Sequence, residues 1–470
     1  IAAVIGLSGR LMVNAAFIMP CISLKILPIL RQWQKCHHGG GMMALLLAGL
    51  ELLRNELLLF AGLGLLIGGL DDFLLDLVYG ARRLWRRLTV YARHPRMTGA
   101  DLPPSGHIGP LAIFVPAWNE AAVIGAMLRR CLTVWAGADM VPFAGAYAND
   151  PATIDAIVAA AGDADAARRV TLVVNPRAGP TTKADCLNCC WAALERWEAA
   201  TGRRALGVVL HDAEDVVHGD ALRLMGALVG RAALVQLPVL PLVNARSRWV
   251  AGHYCDEFAE AHGKALMVRE ALGAAVPSAG VGCCFNRAAL GRLAQAREGR
   301  PFDVASLTED YELGLRLGEA GGRGMLVRMR DARGALIATR EYFPDTLSAA
   351  VRQKTRWTIG IALAGWDRLG WSGRWSEMWM RLRDRRAALA ALILFAAYLG
   401  LVLGGLLWLA ERIGHHPAAA LPFALPHLLA ATSLLLVWRL AVRMAFVWRA
   451  YGPVEALFSV PRTIIGKIIS

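Results

Sequence analysis

Ala387–Ala410 runs for 24 residues without a formally charged side chain. As a helix such a run measures about 36 Å, enough to cross a hydrocarbon core of about 30 Å. Any fold of this chain must therefore place one part in lipid. Arg381, Arg383, Arg385 and Arg386 precede the run. A polar link, Glu411–Pro417, leads to a second apolar segment, Leu421–Trp438, which carries Pro422, Pro426 and His427. Arg439, Arg443 and Arg449 follow. Basic residues at both ends of this hairpin predict that both ends are cytoplasmic.

An earlier span is predicted within Leu45–Tyr79. Its uncharged part, Leu57–Leu70, is too short to cross alone, so the helix must extend past Arg54 or Asp72. Asp71, Asp72 and Asp76 then lie near a membrane surface, where pairing with nearby arginines is expected. The basic cluster Arg82, Arg83, Arg86, Arg87, Arg93 and Arg96 marks the cytoplasmic side. Trp371, Trp375 and Trp379 recur every fourth residue. That spacing predicts one helix face, suited either to the headgroup layer or to an ordinary core.

Composition narrows the class. The chain is 56% hydrophobic with mean hydropathy +0.42, too apolar for an ordinary soluble protein. The net charge of +14 suggests nucleic acid. The arginines, however, concentrate beside the apolar runs, where they anchor to anionic membrane lipid. No RNA-binding aromatic motif or zinc-finger spacing is present, so no nucleic-acid partner is expected. The nine cysteines fit free thiols in a reducing compartment. Cys186, Cys189 and Cys190 lack a second pair at zinc-ligand spacing. The chain begins at Ile1 and reads as a fragment or processed form; residues 1–41 are left unassigned.

After Pro103-Pro104-Ser105-Gly106 the pattern changes. Strands are predicted at Leu111–Val115, Val141–Tyr147, Val170–Val174, Leu206–Leu210 and Ala233–Leu237. Helices are predicted at Ala121–Trp135, Thr153–Ala161, Thr182–Ala200 and Ala221–Val229. This alternation predicts an α/β fold with a mostly parallel sheet covered on both faces. Ligands bind such sheets beyond the carboxyl ends of the strands, where Pro116–Glu120 and His211–Asp215 fall.

Three groups of residues carry chemistry. Asp212 and Glu214 lie two apart after a strand, so both carboxylates can face one ligand. Hard oxygens suit Mg²⁺ or Mn²⁺ against a phosphate, although acidic loops are commonly just solvated. Thr308-Glu309-Asp310 opens a helix, where a carboxylate can cap or act as a general base. Gln353-Lys354-Thr355-Arg356-Trp357 offers an arginine for phosphate and an indole for a sugar face.

Taken in order, these segments resemble the family 2 glycosyltransferases of the cellulose- and hyaluronan-synthase type. Val115–Glu120, Lys183–Asn188, Asp212–Asp215, Gly280–Gly282 ahead of Phe285–Arg287, Thr308–Asp310 and Gln353–Trp357 carry the resemblance over roughly Leu111–Trp357. Gly145–Thr153, His211–Asp215 and Tyr254–Phe258 look closest to a bacterial inner-membrane subgroup whose name links it to phage adsorption. The resemblance implies a GT-A catalytic domain facing the cytoplasm. It implies nucleotide binding by Asn119, Glu120, Asp150, Lys183, Asp185 and Asp212, with Gln353 and Arg356 closing over the diphosphate. Asp310 is implied as the base with Glu309 beside it, Trp357 as the acceptor platform, and Asp212 and Glu214 as ligands of Mg or Mn. Glu214 stands where the family has a second Asp.

The expected organisation is a transmembrane region at 42–80, a basic linker at 81–109 and the GT-A domain at 110–345. The pentad and interfacial helices occupy 346–386, and a transmembrane hairpin 387–438. A basic amphipathic membrane-interface segment, read as truncated, fills 439–470. The expected activity is inverting transfer from a UDP-sugar to a growing saccharide at the bacterial inner membrane, with polysaccharide export through a periplasmic or outer-membrane partner. Transfer to a lipid-linked phosphate acceptor, or a non-catalytic scaffold role in phage adsorption, are the alternatives.

Overall fold

A computed structural model describes residues 41–102, 109–162, 170–371, 373–414 and 421–469. Residues 1–40, most of the unassigned N-terminal segment, and 415–420 of the polar link lie outside them. Seven strands form one sheet: β1 Leu111–Pro116, β2 Met140–Tyr147, β3 Thr171–Asn175, β4 Gly207–Leu210, β5 Leu234–Gln236, β6 Cys283–Asn286 and β7 Gly324–Leu326. Their order is β3-β2-β1-β4-β6-β5-β7. β6 runs antiparallel to both β4 and β5, and the other pairings are parallel.

Alternation along β1 explains the layers. Leu111, Ile113 and Val115 enter one core with Ile124, Leu128, Val209 and Met225. Ala112 and Phe114 enter the opposite core with Phe143, Leu187, Trp191 and Phe285. Side chains of a strand point alternately to its two faces, so one short apolar run serves two layers. The five expected strands and four expected helices are present, with ends shifted by up to three residues. β6 and β7 were not foreseen.

The chain divides into two compact units. One comprises residues up to Leu70 together with Leu389–Leu436. Here glycines let helices approach closely: a Cβ on Gly62 would meet Leu428 at 2.6 Å, and one on Gly64 would meet Ile393 at 2.5 Å. Among the described residues three helices, Leu46–Leu88, Ala387–Ile413 and Ala424–Tyr451, are long and apolar enough to cross a membrane. The last continues past the expected end at Trp438, through Arg439 and Arg443.

The other unit, Asp71–Ala388 with Val437–Ser470, holds the sheet. Asp71 and Asp72 do pair with arginines, but not with the cluster just after them. Arg386 donates to Asp71 at 2.6 Å and to Asp72 at 2.7 Å, and Arg383 donates to both, at 2.8 Å to Asp72. Asp76 takes Lys264 and the Trp438 indole, the latter at 2.9 Å. Arg82 instead donates to the Met267 carbonyl at 2.6 Å. The tryptophan stripe is also broken, because its helix starts at Trp375 and leaves Trp371 outside. Arg462, expected at a membrane interface, is fully buried within helix Pro453–Ile469. It donates to Asp256 at 2.8 Å and to the Glu455 carboxylate at 2.7 Å.

Candidate active site

The turn after β4 is held from inside. His211 Nδ1 lies 2.6 Å from Asp215 Oδ2, and the Asp212 N–H donates to the same oxygen at 3.2 Å. Burial pushes His211 down to about 4 and the Asp215 carboxyl well up, which favours an uncharged pair. That inner anchor leaves Asp212 and Glu214 lining a cavity of about 890 Å³. Of the expected residues, Lys183, Glu309, Asp310, Gln353, Arg356 and Trp357 line it too.

Sequence reasoning missed Glu341. Its backbone neighbour Arg340 bridges to Val216, and the Glu341 carbonyl accepts from the Leu242 N–H at 2.8 Å. These pairings bring in a third carboxylate: oxygens of Asp212, Glu214 and Glu341 all lie within 4.8 Å of one another. Three hard oxygen donors at that spacing fit Mg²⁺ or Mn²⁺. Burial, then the nearby Asp215, Asp212 and Glu214, push the Glu341 carboxyl well up, as expected of clustered like charges. No local pattern marked Glu341, because its role depends on pairing across more than a hundred residues.

Lys183, first residue of helix Lys183–Thr201, is ion-paired with Asp212. Burial works against its charge, but Asp212, Glu309 and Asp310 outweigh it and hold the ammonium well above its usual range. Glu309 and Asp310 open helix Glu309–Glu319. Burial, then the adjacent Asp310, pushes Glu309 up to about 7. Burial also raises Asp310, with Lys183 pulling the other way. Gly280, at φ +77°, leaves the space that Asp310 fills: a Cβ there would sit 2.5 Å from Asp310 Oδ2.

The pentad ends helix Leu347–Trp357. Gln353 presents a buried side-chain oxygen with no hydrogen-bond partner among the described residues. Arg356 donates to the Leu307 carbonyl at 3.2 Å, two residues before the helix that Glu309 opens. Lys354 turns away to pair with Glu257, its ammonium 5.1 Å from the Trp357 ring centroid. Trp357 itself stands edge-on to Tyr254 at 6.1 Å. An indole braced in this way presents a fixed apolar face.

Four expected residues do not line this cavity. Asn119, at φ +60°, donates its N–H to Asp150 at 2.6 Å, and Asp150 also accepts from the Thr153 N–H at 3.3 Å. Asp150 thus caps helix Pro151–Gly162. Asp185 is buried between Asn175, at 2.9 Å, and Arg177. Glu120 is still electrostatically close: burial, then Glu214, Asp212 and Asp150, push it up to about 7.

The model for glycosyl transferase family group 2 matches residues 207–448. Bacteriophage adsorption protein B of Escherichia coli K12 and bacteriophage N4 adsorption protein B of E. coli O157:H7 are each 40% identical over 428 residues. Each alignment covers 86% of this chain but 56% of the relative, so the chain spans little more than half their length. A mannosyltransferase from Pyrobaculum calidifontis, solved with GDP-Man and Mn²⁺, matches with a TM-score of 0.51 at 16% identity. That match covers 88% of this chain and 99% of the solved one, and shows a shared GT-A fold.

Proposed function

The chain belongs to glycosyl transferase family group 2, and from that premise we propose that its cavity transfers a sugar from a nucleotide diphosphate donor to a hydroxyl. A uridine diphosphate sugar is the first candidate donor, and a growing saccharide the acceptor. The observation that carries this reading is convergence. Asp212, Glu214, Asp310, Arg356 and Trp357 come from three separate segments and line one cavity.

The reaction is a single displacement with inversion. The acceptor oxygen forms a bond to the anomeric carbon while the bond to the diphosphate oxygen breaks. Asp310 takes the acceptor proton, and the electron pair leaves with the diphosphate. The raised affinity of Asp310 for protons suits that task, since burial keeps a carboxylate basic. Arg356 meets the leaving charge. A divalent ion held by Asp212, Glu214 and Glu341 would supply further charge neutralisation on the diphosphate. Gln353 offers its unpartnered oxygen to a ligand hydroxyl, and Trp357 supports the acceptor ring. Asn119, Glu120, Asp150 and Asp185 shape the nucleotide side from behind.

We place the enzyme at a bacterial inner membrane with the catalytic unit cytoplasmic, because basic residues flank the apolar helices. Polysaccharide synthesis, with an export partner, is the wider role that this location supports. Asp310→Asn protein, purified with its membrane helices, should lose at least about a hundred-fold in transfer rate across a panel of nucleotide sugars. Wild-type transfer by that variant would remove the base assignment. A product ladder by mass spectrometry supports polymerisation, and a single addition overturns it.

A further inference from the structure

Lys183 occupies an unusual position for a group expected to meet a diphosphate. Its ammonium is bound to Asp212, one of the three carboxylates clustered for a cation. It is in effect a tethered monovalent ion at the edge of a divalent site.

The backbone of Lys183 cannot move far. Thr182 caps its helix by accepting from the Asp185 N–H at 3.2 Å. One turn further on, Asn188 is locked to Phe302 through bonds of 2.8 and 3.1 Å. The side chain is freer, since it stands on a long aliphatic stem and 28% of its surface is open, against 30% for Asp212. A divalent ion and an ammonium repel strongly at contact distance in a partly buried site. Asp212 therefore cannot serve both fully. A donor diphosphate supplies the alternative: its oxygens accept charge-assisted hydrogen bonds from the displaced ammonium.

We propose that Lys183 is a built-in counter-cation of Asp212, and that it passes Asp212 to the divalent metal as the donor diphosphate arrives. Metal and diphosphate then load as a coupled pair, and each raises the affinity for the other by the same factor. Lys183 is a positioning residue in this exchange. The inference rests on the cavity being a donor site, as proposed above.

The test is Mn²⁺ binding by the full detergent-solubilised chain with and without uridine or guanosine diphosphate, read by loss of the free-ion paramagnetic resonance signal against protein-free mixtures of the same Mn²⁺ and diphosphate, with diphosphate binding read separately by calorimetric titration. Wild-type protein should bind Mn²⁺ at least about ten-fold more tightly with diphosphate present. Lys183→Met should bind Mn²⁺ alone about ten-fold more tightly than wild type and gain little from diphosphate. Lys183→Arg, which keeps the charge, should remain as weak as wild type for Mn²⁺ alone. Equal or weaker Mn²⁺ binding by a folded Lys183→Met overturns the exchange, even if diphosphate binding by both proteins upholds the donor site. Absence of diphosphate binding by wild type, with Mn²⁺ at any concentration, overturns the donor reading and the exchange together.

Discussion

Replacing Gly280 with alanine tests Asp310 without touching its carboxylate. The added Cβ would lie 2.5 Å from Asp310 Oδ2 and 3.2 Å from its Cβ and Cγ, whereas ordinary contact begins at 3.4 Å. The carboxylate must therefore retreat by about 0.9 Å, the difference between 3.4 and 2.5 Å. A shift of about 1 Å in a reacting group costs on the order of a hundred-fold in rate. The backbone adds a second cost, since φ +77° is a left-handed conformation that disfavours alanine by about 1 kcal/mol. Gly280→Ala should thus lower kcat by about a hundred-fold and leave the KM for donor within about three-fold, because the donor contacts lie elsewhere. Steady-state kinetics of sugar transfer would read both constants, and a thermal melt would confirm that the protein stays folded. A folded Gly280→Ala enzyme with kcat within three-fold of wild type would refute the placement of Asp310 as the base.

Four other outcomes are expected. Glu341→Gln should weaken Mn²⁺ binding by the diphosphate-loaded protein by about ten-fold or more, and unchanged binding removes Glu341 from the ligand set. Trp357→Ala should raise the acceptor KM by about ten-fold with little change for the donor, a split visible in two-substrate kinetics. Glu309 rises from 4.5 to about 7 in the folded chain, so the fold holds an extra proton between those values. That stabilisation, about 3 kcal/mol, is complete below pH 4.5 and lost as pH climbs through 7. Denaturant unfolding of ligand-free protein should show the decline, and Glu309→Gln should flatten it; parallel curves for the two proteins contradict the assignment. Arg462→Met strands Asp256 as a buried carboxylate and leaves Glu455 only Arg248, at 2.9 Å, which should cost about 3–5 kcal/mol in the same assay. A loss below 1 kcal/mol would show that the pair is compensated elsewhere.

The sheet's first five strands were legible because each is an apolar run closed by a turn and followed by a helical pattern. β6 was not, since Cys283–Asn286 reads the same whether it runs parallel or antiparallel, and three-residue β7 is too short to carry a period. Asp212, Asp310 and Arg356 were legible as members of an ordered set, though their convergence on one cavity is a property of the fold. Glu341 was hidden because its partner strandlets begin at Val216 and Leu242. Asp150 shows how one residue type serves two ends: the side chains that ligate nucleotides also cap helices, and here two backbone N–H groups bind its carboxylate. The tryptophans at 371, 375 and 379 kept helical spacing across a helix boundary, which periodicity alone does not detect.

The clasp of Arg383 and Arg386 on Asp71 and Asp72 joins residues more than 310 positions apart. In synthesis, Asp71 and Asp72 emerge within the first helix, Leu46–Leu88, long before these arginines exist. The catalytic sheet lies wholly between the two halves of the clasp in sequence. Closing it therefore reports that the intervening sheet has been made and that the chain has come back to the first helix. A chain ending before Arg383 would leave Asp71 and Asp72 without either arginine of the clasp.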